Sequence, residues 1–253
     1  MTCHLWTGKV KNKIQIQMKM HIGLCMNIYS WKDILGKIKS LNLELDKASF
    51  ERAVSDGRME FGKELVAFEE ALPIYRYRRR VQEAVSENAV TIIMAETGSG
   101  KSTKVAQYLV DILPTSKMIV CTQPRKIAAV SLASHVARQM GSTVGGLVGY
   151  KVGSQSKMSK DTRILFMTDQ MLLNECAKDR NFSNYSCIIL DEVHERSINT
   201  DLLLGLTKEG LATNKELKVV ITSATMDSEM FFNHYSGDGI QVVKLDIPGR
   251  TFP

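Results

Sequence analysis

The chain has 253 residues, 44% of them hydrophobic and 24% charged, which is the balance of a globular protein with room for one large α/β domain or a domain plus an extension. Its net charge of +6 is within what solubility alone explains, so basicity by itself names no anionic partner. Five cysteines without a C-x-x-C pair argue against a zinc site or a disulfide framework and for a reducing, intracellular compartment, and no stretch reaches the ~18 apolar residues of a membrane span.

Residues 1–45 carry no sustained hydrophobic period. Lys9, Lys11, Lys13 and Lys19 precede the first acidic residue, Asp33. The short apolar runs, the absence of arginine before Arg52 and the lack of a small-residue cleavage site nevertheless depart from a targeting peptide. An atypical or poorly ordered leader is expected there. From Asp46 to Leu72 the spacing of Phe50, Val54, Phe61, Leu65 and Phe68 predicts a helical extension interrupted at Gly57.

From Pro73 onward the pattern changes, and residues 73–253 read as one domain. Short β-rich runs at 90–95, 117–122, 163–168, 187–190 and 217–223 alternate with helix-length segments at 101–113, 125–140, 169–178, 199–213 and 227–235. Nearly continuous apolar strands separated by helices predict an α/β fold, a mostly parallel sheet covered by helices on both faces. Right-handed crossovers would gather the carboxyl ends of those strands along one edge, where ligands of such sheets bind.

The first strand runs into AETGSGKST, residues 95–103. This is the phosphate-loop pattern, with Ala95 where its first glycine stands. Gly98 and Gly100 allow backbone angles closed to other residues, so that successive N–H groups of Glu96, Thr97, Gly98, Ser99 and Gly100 can face one anion. A helix starting at Lys101 adds its positive end. Lys101 suits the β- and γ-phosphates of ATP and Ser102 suits Mg²⁺, with Thr103 next in the motif.

A second apolar strand ends in DEVHER, residues 191–196. Two adjacent carboxylates at the end of a buried strand repel each other and need a compensating cation. In a parallel sheet they finish at the same edge as Lys101. Mg²⁺ held by Ser102 and the triphosphate would answer that need. Asp191 then suits the metal and Glu192, also within the metal's reach, suits the orientation and deprotonation of an attacking water.

Taken together, AETGSGKST, TQPRK (122–126), MTDQMLL (167–173), DEVHER, SAT (223–225) and PGRTFP (248–253) resemble the first RecA-like domain of the DEAH-box RNA helicases, P-loop NTPases, over residues 72–253. The resemblance implies that residues 96–103 bind ATP, that Asp191 serves Mg²⁺ and that Glu192 is the catalytic carboxylate. It also implies that His194 links the nucleotide site to Ser223 and Thr225, and that Arg125 and Thr168 touch the backbone of single-stranded RNA. DNA is open as an alternative strand, because backbone contacts discriminate poorly. It further implies a second RecA-like lobe, absent after Pro253, and leaves room for an activating protein partner.

The sequence departs from the family at several positions: Val193 in DEVH, Lys126 for an arginine, Gln170 for a glycine, His135 for an adenine-stacking arginine, and GYKVGS (149–154) without its arginine. Lys126 keeps the charge but loses the planar fork. The match also puts YRYRRR (75–80) on a helix before the first strand, with Tyr75 and Val81 inward and the arginines outward. The expected function is the ATP-binding and ATP-hydrolysing lobe of an ATP-dependent RNA helicase, weak in isolation. The alternative is a non-catalytic nucleotide- or RNA-binding module derived from one.

Overall fold

The structure is a computed structural model that describes residues 72–224, 228–237 and 239–249. The leader at 1–45 and nearly all of the helical extension at 46–72 lie outside the described residues, as do Thr225 and the end of PGRTFP. The described residues belong to one compact unit.

A 3-10 turn, Pro73–Tyr77, leads into α1 (Arg78–Glu87). There follow β1 (Val90–Ala95), α2 (Lys101–Val110), β2 (Met118–Gln123), α3 (Lys126–Gln139), β3 (Val148–Val152) and β4 (Gln155–Lys157). The second half runs β5 (Ile164–Thr168), α4 (Asp169–Cys176), β6 (Tyr185–Leu190), a 3-10 turn over Val193–Glu195, α5 (Ile198–Thr213), β7 (Lys218–Ser223), α6 (Ser228–Tyr235) and β8 (Val242–Ile247). All five expected strands form, and helices occupy the expected segments.

The eight strands make one sheet in the order β4-β3-β5-β2-β6-β7-β1-β8. Every pairing is parallel except β3 with β4. Because side chains alternate along a strand, β1 sends Ile93 and Ala95 into one core and Val90, Ile92 and Met94 into the other. The first core receives α1, α2 and α3 through residues such as Val81, Leu109 and Ala133. The second receives α4, α5 and α6 through Leu172, Leu203 and Phe231. Both faces of the sheet are therefore covered, as the unbroken apolar runs require.

Two expectations at the amino end of this unit divide. Val81 is fully buried, but Tyr75 is 37% exposed and Ile74 takes the inward position. The reason is the 3-10 turn, whose three-residue period rotates the side chains away from the positions a continuous α-helix would give them. The arginines Arg76, Arg78, Arg79 and Arg80 are exposed, as expected, and Arg78 is used structurally, 2.8 Å from Asp111. Among the described residues no helix is long and apolar enough to cross a membrane.

Candidate active site at the carboxyl edge of the sheet

The phosphate loop leaves β1 and turns through two positive-φ glycines, Gly98 (+83°) and Gly100 (+93°), before α2 begins. Gly100 is also sterically closed, since a Cβ there would lie 2.9 Å from Leu72 Cδ1 and 3.1 Å from Ile74 Cγ2. The loop is braced from the same side, where the Ile74 N–H donates to the Ser99 carbonyl at 3.2 Å. Within the loop the Ser99 N–H donates to the Glu96 carbonyl, and the Lys104 N–H to that of Gly100. The first N–H groups of α2, from Lys101 and Ser102, precede the first intrahelical bond and carry the positive end of the helix.

The side chains of the loop differ in their surroundings. Lys101 is buried, with its ammonium held in the site, and Ser102 is half-buried at the start of the helix. The Thr103 hydroxyl donates to the Gly100 carbonyl at 3.0 Å, which ties the first turn of α2 back to the loop. Glu96 and Thr97 are exposed, and Ser99 is buried with its hydroxyl unpartnered.

The acidic pair arrives from β6. Lys101 Nζ lies 3.4 Å from Glu192 Oε1, so the loop after β1 and the acids after β6 converge even though β7 separates the two strands. Lys101 thus supplies a positive charge on the Glu192 side of the pair. Asp191 is served differently. It is 1% exposed, with Gln123 Nε2 donating to its Oδ2 at 2.6 Å and the Thr222 hydroxyl donating to its Oδ1. Sheet register dictates this pair of donors: Leu190 pairs with Thr122 on β2 and with Ile221 on β7. One residue further along, Asp191 is flanked by Gln123 and Thr222. No local sequence signal marks these two donors, whose placement is set by strand order.

Glu192 adopts a left-handed conformation (φ 55°, ψ 36°), which turns the chain off the strand, and Arg196 (φ 50°, ψ 47°) ends the 3-10 turn in the same conformation. Non-glycine residues held there mark a conformation enforced by its surroundings. His194 sits between them. Its Nδ1 is 3.4 Å from Glu192 Oε2 and 3.3 Å from the Ala224 N–H. One nitrogen cannot accept from Ala224 and donate to Glu192 at once, so the two contacts belong to different protonation states of the ring. The Ala224 N–H thus supplies one contact between His194 and the SAT segment; Thr225 lies outside the described residues. Ser223 is wholly buried at the end of β7.

Arg125 and Thr168 come together from neighbouring strands, since Gln123 on β2 pairs with Thr168 on β5. Arg125 is the N-cap of α3 and Thr168 the N-cap of α4, neither with a side-chain cap bond. Both helix starts point their unpaired N–H groups at the same sheet edge as the phosphate loop. Arg125 is 3.3 Å from Glu195. Gln170 donates to Asn174 on the exposed face of α4, which accommodates a glutamine where the resembled family has glycine.

A family model described as "DEAD/DEAH box helicase" matches residues 75–231. The chain belongs to the DEAD/DEAH box helicase family. It is 41% identical over 217 residues to a relative from Schizosaccharomyces pombe named pre-mRNA-splicing factor ATP-dependent RNA helicase prp22, covering 83% of this chain and 18% of that protein. To an ATP-dependent RNA helicase HrpA homolog from Haemophilus influenzae it is 37% identical over 228 residues, 87% of this chain and 17% of that protein. The chain therefore spans less than a fifth of the length of these curated relatives.

The residues of this helicase-family domain fit a triphosphate, because a positive-φ glycine loop leads directly into an open helix start that carries a buried ammonium. They fit a hard cation as well. Among the described residues no group of three His, Cys, Asp or Glu gathers as a protein cage. Magnesium ordinarily needs only a hydroxyl, one or two carboxylates and phosphate oxygens, and keeps several waters.

Proposed function

We propose that residues 73–253 are the first RecA-like lobe of an ATP-dependent RNA helicase, a lobe that binds ATP with Mg²⁺ and contributes the hydrolytic residues. The single observation that carries this reading is the 3.4 Å approach of Lys101 to Glu192, which brings a phosphate-binding ammonium and a carboxylate base to one place. Residues 96–103 cradle the phosphates, with Lys101 exchanging Glu192 for the β- and γ-phosphates as they enter. Ser102 and Asp191 would hold Mg²⁺, which would supply positive charge to offset that of the phosphates. Asp191 would serve the metal through its water shell, its carboxylate aimed by the Gln123 and Thr222 donors.

Glu192, released from Lys101, orients a water and takes its proton. His194 relays the state of Glu192 to Ala224 and the SAT segment. Arg125 and the helix start behind Thr168 hold phosphates of a single strand by charge and N–H groups, contacts that position the strand without reading bases. RNA is the strand favoured by the relatives' names, in an intracellular setting. Phosphoryl-transfer enzymes of this kind gain ~10³ to 10⁵ in rate from an arginine supplied across the site. In this reading it comes from a second RecA-like lobe.

The test is fluorescent-nucleotide binding and phosphate release by a polypeptide restricted to residues 1–253, with and without oligouridylate. Expected are Mg²⁺-dependent nucleotide binding, very slow turnover and no duplex unwinding. Lys101→Ala should abolish binding, whereas Glu192→Gln should keep binding and remove residual turnover. No affinity for nucleotide in the presence of Mg²⁺ would sink the reading. Robust RNA-stimulated turnover by this polypeptide alone would refute the need for a second lobe.

A further inference from the structure

The carboxylate of Asp169, the first residue of α4, is 3% exposed and reaches the segment that follows the acidic pair. Its Oδ2 accepts from the Thr200 hydroxyl at 2.7 Å, with the Ser197 hydroxyl at 3.5 Å. Ser197 and Thr200 are themselves 2.7 Å apart, and Ser197 caps α5 by accepting from the Thr200 N–H at 3.0 Å. The other oxygen, Oδ1, is buried without a hydrogen-bond partner. A buried carboxylate tied on one side and orphaned on the other serves structure poorly and asks for another account.

The placement supplies one. The segment 192–196 carries Glu192 and His194, and it is pinned at both ends. At one end Asp191 is gripped by Gln123 and Thr222. At the other, Ser197 and Thr200 are gripped by Asp169, whose neighbour Thr168 stands at the uncapped helix start assigned to the strand. Between the pins the backbone is locked by left-handed residues at Glu192 and Arg196. A displacement of the start of α4 is therefore transmitted to the base and the histidine along a short, stiff path. The exposed Arg125–Glu195 pair touches the same segment from α3, but a solvent-exposed pair holds too weakly to transmit much.

We infer that Asp169 is a positioning residue that couples occupancy of the strand-binding edge to the conformation of Glu192 and His194, acting through Ser197 and Thr200. This rests on the function proposed above. Coupling of this kind is a ratio of affinities, usually ~5- to 150-fold, and is reciprocal between the two ligands.

The experiment measures the affinity of the 253-residue chain for a fluorescent ATP analogue with Mg²⁺, with and without saturating oligouridylate, in wild type, Asp169→Asn, Thr200→Val and Thr200→Ser. Circular dichroism melts show that each variant is folded. Expected is a shift on adding oligouridylate in wild type that falls to under about threefold in Asp169→Asn and Thr200→Val, on the scale of ordinary coupling factors. Each ligand's own affinity should stay within about twofold in those variants, and Thr200→Ser, which keeps the hydroxyl, should retain the shift. A shift undiminished in Asp169→Asn and Thr200→Val, or no shift in wild type with both ligands bound, overturns the inference. Loss of both affinities together with the melting transition assigns Asp169 a merely structural role and also overturns it. A folded wild-type chain that binds neither ligand instead refutes the proposed function, and this inference with it.

Discussion

Lys101 and Glu192 neutralise each other across the sheet edge, 3.4 Å apart, with the lysine side chain 3% exposed and the glutamate 24% exposed. The repulsion between Asp191 and Glu192 is thereby split: a cation answers one carboxylate and two neutral donors answer the other. Glu192→Gln leaves a buried ammonium without its counter-charge and should lower the stability of the nucleotide-free protein by about 1–3 kcal/mol. Saturating ATP and Mg²⁺ should erase the deficit, because phosphate oxygens replace the lost carboxylate and ligand binding stabilises the folded state. Thermal melts of wild type and variant with and without nucleotide check this. Equal melting without nucleotide would show that the pair contributes nothing to the resting site.

Asp191 depends on its two flanking donors in the same physical sense. Thr222→Val keeps the shape of the side chain but leaves a carboxylate oxygen buried and unsatisfied, at a cost of about 1–3 kcal/mol. Thr222→Ser should cost much less because the hydroxyl survives. Urea denaturation ranks the two variants. The same valine should also raise the Mg²⁺ concentration needed for nucleotide binding, read by titrating Mg²⁺ at fixed nucleotide, because the freed carboxylate is no longer aimed.

Much of this architecture can be read from the order of residues. The strands at 90–95 and 217–223 are apolar on both faces, a pattern that only a covered parallel sheet satisfies, and the loop and acid motifs follow strand ends. What escaped the reading is what depends on neighbours. β8 carries Lys244 and Asp246 in an edge position and is only partly buried, so its sequence lacks the continuous apolar run. β4, Gln155–Lys157, is exposed throughout and exists only because β3 offers it an edge. Gln123 and Thr222 acquire their role from sheet order, which local sequence does not encode. Ala224 has only a methyl side chain, and nothing in it signals that the backbone N–H meets His194.

Gly100 is required twice over, by its φ of +93° and by the closeness of Leu72 and Ile74 to any added methyl. Gly100→Ala should therefore rotate the peptide or push the 73–77 turn aside, and either change redirects the N–H groups that cradle the phosphates. The expected outcome is a loss of nucleotide affinity of at least tenfold with a stability cost of only about 1–3 kcal/mol, the usual range for one strained backbone position. Binding and urea curves measured on the same preparation separate the two effects. Unchanged affinity would mean that the loop does not bind through its backbone.

The buried thiols predict how stability responds to alkali. Burial pushes the Cys121 thiol well up, helped by the negative charge of Asp191. Burial also raises Cys187, against the opposing pull of Lys218. An unfolded thiol ionises near pH ~8.5, while these two remain neutral in the folded chain. With rising pH the unfolded state therefore loses protons first, and the native state is disfavoured by up to ~1.4 kcal/mol per pH unit for each thiol. The stabilising contribution is fully present below about pH 8.5 and declines above it. Tyr185 and Tyr235, also raised by burial, add to the decline only above about pH 10, where a free phenol titrates. Urea midpoints should thus be flat from about pH 7 to 8 and fall between about pH 8.5 and 10. The fall should be shallower in a Cys121→Val, Cys187→Val double variant, which retains the core volume and lacks the titrating groups. An identical slope in the double variant would show that the thiols are not the groups whose protons are linked to folding.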